Sequence, residues 1–251
     1  MGTFWAYRRI VGVGVAVVLA FAFYIIVIAP AAFTPDSGRP SSAAIGGLFV
    51  RPFGLTVPHP FCTASIIDSP RGDLLLTAAH CLGKVPLSQI IFIPYYHDGT
   101  SPFGQYDITA QAFPPGWFPG GNITRDYAFL TVAGNVQKKA GFEKLAVSMP
   151  LPRDATLEAY NQSGAPTVCP GHPQAVTRGG VPQLRFACPG YSDAASGGPI
   201  LTRVNPRSRL GTIIGVIGGY EEGGATSTVS YASPLKPSAI ALAQKLARSR
   251  R

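Results

Sequence analysis

The chain has 251 residues, 46% of them hydrophobic, enough for one sizeable domain or two small lobes around a shared core. Its 29 glycines and 24 prolines make it rich in turns, yet short of the roughly 25–30% Pro plus Gly that marks disorder. The net charge of +9 does not argue for nucleic acid: Arg8, Arg9, Lys236, Lys245, Arg248, Arg250 and Arg251 sit at the two ends, all 12 acidic residues fall between them, and a nucleic-acid-reading face needs its basic residues gathered within the folded domain.

Residues 1–33 read as a separate unit. Arg8 and Arg9 precede Ile10 to Ala29, a run without a charge. Its length matches the roughly 20 residues that cross a bilayer as a helix and exceeds the apolar core of about 7–15 residues in a signal peptide. The positive flank belongs in the cytoplasm, so the rest of the chain is expected outside. Ala29-Pro30-Ala31 resembles a small-residue cleavage site, which leaves a secreted form as the alternative to a single-pass membrane anchor. Thr34 to Ala44 is Pro/Ser/Gly-rich and reads as a linker.

From Ile45 the pattern changes to short apolar runs. Ser65 to Ile67 and Leu74 to Leu76 read as strands around the turn Ser69-Pro70-Arg71-Gly72. Gln89 to Pro94, Tyr106 to Ala112 and Tyr127 to Ala133 follow, with a loop carrying Trp117 and Phe118 before the last of them. The second half repeats the style, with strands expected at Thr156–Tyr160, Leu184–Ala187, Pro199–Thr202, Thr212–Ile217 and Thr228–Tyr231. Many short strands joined by Gly/Pro turns point to an all-β sandwich or barrel. Pro237 to Arg248 is the one clear helix of the folded part, with Pro237 in its first turn and Ile240, Leu242 and Leu246 as the expected packed stripe. The domain plan is an anchor or signal at 1–33, a linker at 34–44, one half at 45–145, a second at 146–236 and a basic helix at 237–251.

Four cysteines, an even number on an exported chain, suggest two disulfides. Of three possible pairings, Cys62–Cys81 with Cys169–Cys188 keeps each bridge within one half and gives two loops of equal length. A zinc site would want a Cys-x-x-Cys pair, which is absent.

Three stretches carry chemistry. They are Leu76-Thr77-Ala78-Ala79-His80-Cys81, Arg125-Asp126-Tyr127-Ala128-Phe129-Leu130 and Asp193-Ala194-Ala195-Ser196-Gly197-Gly198-Pro199. A serine hydroxyl is a poor nucleophile at neutral pH; a histidine must take its proton, and a buried carboxylate must fix that histidine's tautomer. The acyl-hydrolase elbow Gly-x-Ser-x-Gly is excluded, because Ala194 stands two positions before Ser196 and the chain order is histidine, aspartate, serine.

Thr77-Ala78-Ala79-His80-Cys81, Asp126-Tyr127-Ala128-Phe129-Leu130 and Ser196-Gly197-Gly198-Pro199 resemble the histidine, aspartate and nucleophile motifs of chymotrypsin-like (trypsin-fold) serine proteases, and Phe61-Cys62-Thr63-Ala64-Ser65 fits the segment before the histidine. The likeness spans about residues 45 to 235. It extends to exported actinobacterial trypsin-like peptidases around Ile217-Gly218-Gly219-Tyr220 and Gly223-Gly224. It implies two antiparallel six-stranded β-barrels with a cleft between them. It implies His80 as general base and then acid, Asp126 as its orienter and Ser196 as nucleophile, with an oxyanion held by the N–H groups of Ala194 and Ser196. The pocket walls would come from about Gly190 to Ala194 and Ile217 to Gly224, with Gly190, Ile217, Gly218 and Gly219 lining it; Glu221 or Glu222 would attract a basic side chain if turned inward, and otherwise belong to a solvated turn. The substrate would be a polypeptide, and neither metal nor organic cofactor is called for.

Two departures stand out. Ala194 occupies a position where most members have glycine, so strain at an oxyanion donor is expected there. Ala195 replaces an aspartate that in the family pairs with a freed N-terminal amine; Ile45-Gly46-Gly47 resembles such a terminus, and Asp193 is the one nearby substitute acid. These departures keep a second reading open, a catalytically impaired protease-fold binding protein of the cell envelope.

Overall fold

A computed structural model of the chain describes residues 36–37, 40–51, 59–118 and 121–249. The expected membrane span Ile10 to Ala29 lies outside the described residues. No described helix is long and apolar enough to cross a membrane.

In the first half, β2 (Ile45–Val50), β3 (Cys62–Ile66), β4 (Leu74–Thr77), β5 (Ile90–Pro94), β6 (Tyr106–Ala112) and β7 (Ala128–Val132) follow β1 (Asp36–Ser37). The strands β2-β3-β4-β7-β6-β5 close into a barrel in that order. In β3, β4, β5 and β7 every residue is buried, so both faces are covered, whereas β6 is partly exposed. Alternate residues point to opposite sides of a strand. Leu48, Ile66, Leu75, Ile90, Phe92 and Leu130 fill the barrel. Their neighbours Phe49, Leu74, Leu76, Ile91, Ile93 and Phe129 pack outward, against Tyr160, Leu201, Ile213 and Val216 of the second half.

The second half contains β8 (Lys144–Leu145), β9 (Ala155–Tyr160), β10 (Pro166–Gly171), β11 (Gln174–Arg178), β12 (Val181–Ala187), β13 (Pro199–Thr202), β14 (Thr212–Val216) and β15 (Val229–Ala232). The expected second six-stranded barrel is not a single closed ladder. Among the described residues there is a six-stranded sheet, β1-β10-β9-β13-β14-β8, and a three-stranded sheet, β11-β12-β15. One pairing, β14 with β8, is parallel. The two sheets share a core of Leu157, Leu184, Phe186, Ile200, Ile214 and Ala232. They meet through the bridge Ile217–Ala232 and the disulfide Cys169–Cys188. Pro170 and Pro189 follow those two cysteines directly. A proline has no N–H to give a ladder, and at this point the disulfide supplies a covalent tie between the two sheets.

The helix Pro237–Arg248 forms as expected. Its buried stripe is Ala239, Ala243, Leu246 and Ala247; of the expected stripe Leu246 is buried, Leu242 packs on the same cluster while only partly buried, and Ile240 is half-buried. Small residues let the helix lie close against the outer face of the first barrel, where Leu74, Leu76 and Phe129 share its cluster.

Two fully buried carboxylates hold the segment before β2. The Ser41 N–H donates to Glu158 Oε1 at 2.8 Å, and the Ser41 hydroxyl donates to Glu158 Oε2. The Ser42 hydroxyl donates to Glu143 Oε1, whose other oxygen accepts the Gly211 N–H. No lysine or arginine makes an ion pair with either acid among the described residues. Burial therefore dominates: it pushes the Glu143 carboxyl up and Glu158 up to about 7, with the Glu143 charge adding a smaller push to Glu158.

Candidate active site

β4 ends at Thr77, and a single 3-10 turn, Ala79–Cys81, carries His80 out of the barrel wall. The bridge Cys62–Cys81 ties that turn to β3, in the expected pairing. Asp126 precedes β7 and is 2% exposed. Its Oδ2 lies 2.7 Å from His80 Nδ1. The same carboxylate accepts the backbone N–H of His80 at 3.0 Å and that of Gly219 at 2.7 Å. Two backbone N–H groups already donate to this buried carboxylate, which has only acceptor atoms, so Nδ1 meets it as a third donor and Nε2 is the ring nitrogen left free of Asp126. Behind it the Asp126 N–H donates to Ser233 Oγ at 3.1 Å, and Ser233 donates to the Ile123 carbonyl at 2.7 Å. A Cβ on Gly218 would stand 3.0 Å from both the Asp126 carbonyl oxygen and Oδ2, so a side chain there would press on the carboxylate that holds His80.

Ser196 follows a 3-10 turn at Asp193–Ala195. Its backbone is locked to β3: the Thr63 N–H donates to the Ser196 carbonyl at 2.7 Å, and Thr63 Oγ1 donates to the Ala194 carbonyl at 2.9 Å. Gly197 has φ +84°, and a Cβ there would stand 2.1 Å from the Thr63 carbonyl oxygen. The Ser-Gly-Gly motif is thus a packing requirement at the seam between the two halves.

His80 and Ser196 both line one cavity of about 610 Å³. The structure does not join them by a hydrogen bond. Ser196 Oγ donates instead to the Glu222 carbonyl at 3.3 Å. Glu221 and Glu222 have φ values of +51° and +53° in the turn Tyr220–Gly223, a region non-glycine residues enter at a cost. Neither the Ala194 N–H nor the Ser196 N–H has an acceptor among the described residues. Ala194 is not in the left-handed region, so the expected backbone strain there is absent: a 3-10 turn accommodates alanine without difficulty.

Of the expected pocket residues, Ile217 lines the cavity. Gly190, Gly218 and Gly219 do not. Gly190 donates to the Ser227 carbonyl, and the other two pack against Asp126. Tyr191, Asp193 and Glu222, from the two stretches expected to form the walls, line it, and so does Ser230 from outside them. Asp193 is exposed on that wall, while Ile45 is fully buried as the first residue of β2. The group Cys62, His80 and Cys81 brings ligand-type atoms within 4.8 Å of one another. Both sulfurs are bonded to each other, so the group cannot bind a metal through them.

No protein-family model matches the chain, and no curated protein matches it. Solved structures do. The protease Anisep from Arthrobacter nicotinovorans matches at 18% identity and TM-score 0.69, covering 85% of this chain and all of its own (100%). A thermostable serine protease, AL20, from an extremophilic microorganism matches at 21% and 0.68, covering 84% of this chain and 100% of its own. A Glu endopeptidase matches at 17% and 0.61, covering 85% of this chain and 98% of its own. With a closed first barrel, a disulfide-closed second half and the His80–Asp126 pair facing the Ser196 turn across their seam, the chain has the fold of the chymotrypsin-like serine proteases.

Proposed function

We propose that the protein is a serine endopeptidase that acts outside the cytoplasmic membrane. Ser196 is the nucleophile, His80 the base and then the acid, and Asp126 the group that holds the imidazole. The observation that carries this reading is the 2.7 Å contact between His80 Nδ1 and a carboxylate that is 2% exposed, with His80 on the wall of the cavity that Ser196 also lines. Ser196 Oγ would attack a peptide carbonyl as Nε2 takes its proton. The proton would then pass to the leaving amine, and water would release the acyl group by the same route in reverse. The Ala194 and Ser196 N–H groups, free of internal acceptors, suit the oxyanion. The turn of Ser196 Oγ toward Glu222 places no barrier in the way, because rotation about one serine bond is fast and cheap. The two disulfides support an oxidising, exported setting.

A fluorophosphonate probe tests the reading directly. Labelling of the exported, folded protein that is lost in Ser196→Ala and in His80→Ala is expected. Absence of labelling in the folded wild type would favour a binding protein without turnover.

A further inference from the structure

The cavity beside Ser196 has two ends of opposite charge. On the wall formed by residues 191–193 and 221–230 stand Asp193, Glu221 and Glu222, with no lysine or arginine among them. The Glu221 carboxylate lies by the Tyr220 hydroxyl. Those of Asp193 and Glu222 have no hydrogen bond or ion pair among the described residues. Past His80, beyond Cys81, the wall carries one cation, Lys84, exposed and without an ion pair among the described residues.

Ser230 gives a second, independent mark. It sits on β15, is 5% exposed and lines the same cavity. Its hydroxyl has no hydrogen-bond partner among the described residues. Though the residue is buried, its hydroxyl opens on the cavity, and a hydroxyl with no protein partner bonds what enters there. A hydroxyl donates to an anion as readily as it accepts from a cation. The carboxylates around the mouth choose between the two.

The reaction proposed above, on which this inference rests, decides which part of a substrate meets which wall. The carbonyl carbon must sit at Ser196 Oγ, and the leaving nitrogen must face His80, which returns the proton. The residue before the cut therefore lies against the acidic wall, and the residue after it lies past His80 toward Lys84. We infer that the cleft selects peptide segments with lysine or arginine immediately before the cut bond and an acidic residue immediately after it. Ser230 accepts a hydrogen bond from the basic head group, Asp193 and Glu222 hold its charge, and Lys84 holds the acid.

The test uses the full chain, a fluorophosphonate label and quenched peptides that differ only in the two residues at the cut: Lys-Glu, Lys-Lys, Glu-Lys and Phe-Ala. The expected kcat/KM for Lys-Glu exceeds that for Phe-Ala by about tenfold and that for Glu-Lys by about a hundredfold, with both ratios shrinking as salt rises. The double variant Asp193→Asn/Glu222→Gln lowers the Lys-Glu to Phe-Ala ratio by about tenfold, and Lys84→Glu reverses the order of Lys-Glu and Lys-Lys. These are ratios on one preparation, so a partly unfolded variant does not move them. A protein that labels and cleaves but prefers Phe-Ala or Glu-Lys, or whose ratios ignore these substitutions, overturns the selectivity and leaves the hydrolytic reading standing. A folded protein that neither labels nor cleaves overturns both.

Discussion

The two sides of the cleft are prepared to different degrees. On the histidine side the carboxylate and the ring nitrogen that faces it are held by fixed partners. Asp126 accepts from His80 twice and from Gly219 once, and Ser233 anchors it from behind. On the serine side the backbone is equally fixed, through Thr63 and through the Gly197 N–H, which donates to the Ile217 carbonyl at 2.8 Å. The hydroxyl alone is soft. Its 3.3 Å bond to the Glu222 carbonyl is long for a hydroxyl donor, and the turn that supplies the carbonyl is in an unfavourable conformation. The base is thus assembled by the fold, whereas the nucleophile waits on a contact that a substrate can displace.

The sharpest way to break the comparison is to spoil the prepared side while sparing the other. Asp126→Asn removes the charge and places an N–H donor among groups that also donate. The ring is then pushed to the wrong tautomer, with the proton on Nε2. A fall in kcat of about ten-thousandfold is expected, measured on a quenched peptide at neutral pH. A fall of less than tenfold would mean that Asp126 does not set the imidazole.

How much of this the sequence discloses differs between the same two sides. His80, Asp126 and Ser196 stand in local motifs, and most of the first barrel is visible as short apolar runs because β3, β4, β5 and β7 are buried on both faces. The strand β10 hides behind Pro166, Pro170 and Gly171, residues that read as breakers. The strand β11 hides because it is mostly exposed and shows no apolar alternation. The failure of the second barrel to close as one ladder depends on where hydrogen bonds stop, which prolines hint at but do not locate. Glu222 meets Ser196 with a backbone oxygen, and a backbone contact leaves no mark on side-chain identity. Thr63, Ser230 and Ser233 are ordinary small polar residues until distant strands bring them together.

Away from the cleft, Glu158 gives a pH test of the packing on the serine side. It lies on β9, whose carbonyl at this residue would be 2.7 Å from a Cβ on Gly198, beside the nucleophile turn. A buried carboxyl with a raised folded pKa keeps its proton after the unfolded chain has lost its own. Its effect on stability is therefore most favourable below the ordinary value of 4.5, declines as pH rises to about 7, and levels off above. The difference across that window is about 3 kcal/mol. Glu158→Gln should flatten the wild-type decline in urea midpoint between pH 5 and pH 8. Parallel curves for the two proteins would show that Glu158 has an ordinary carboxyl in the fold.

The smallest effect tests the soft side itself. Glu222 holds φ +53° with a side chain that makes no hydrogen bond among the described residues. Glycine pays less for that region, but it also has more freedom to lose from the unfolded chain, so Glu222→Gly should stabilise the protein by only about 0.5–1 kcal/mol. Glu222→Ala keeps the backbone cost and removes the side chain, and should leave stability within about 0.5 kcal/mol of wild type. The pair separates the two causes. If glycine stabilises and alanine does not, the turn over Ser196 is held against its own backbone preference, and its displacement by substrate relieves a cost. If both destabilise, the side chain is anchoring the turn, and the nucleophile side is as firmly built as the histidine side.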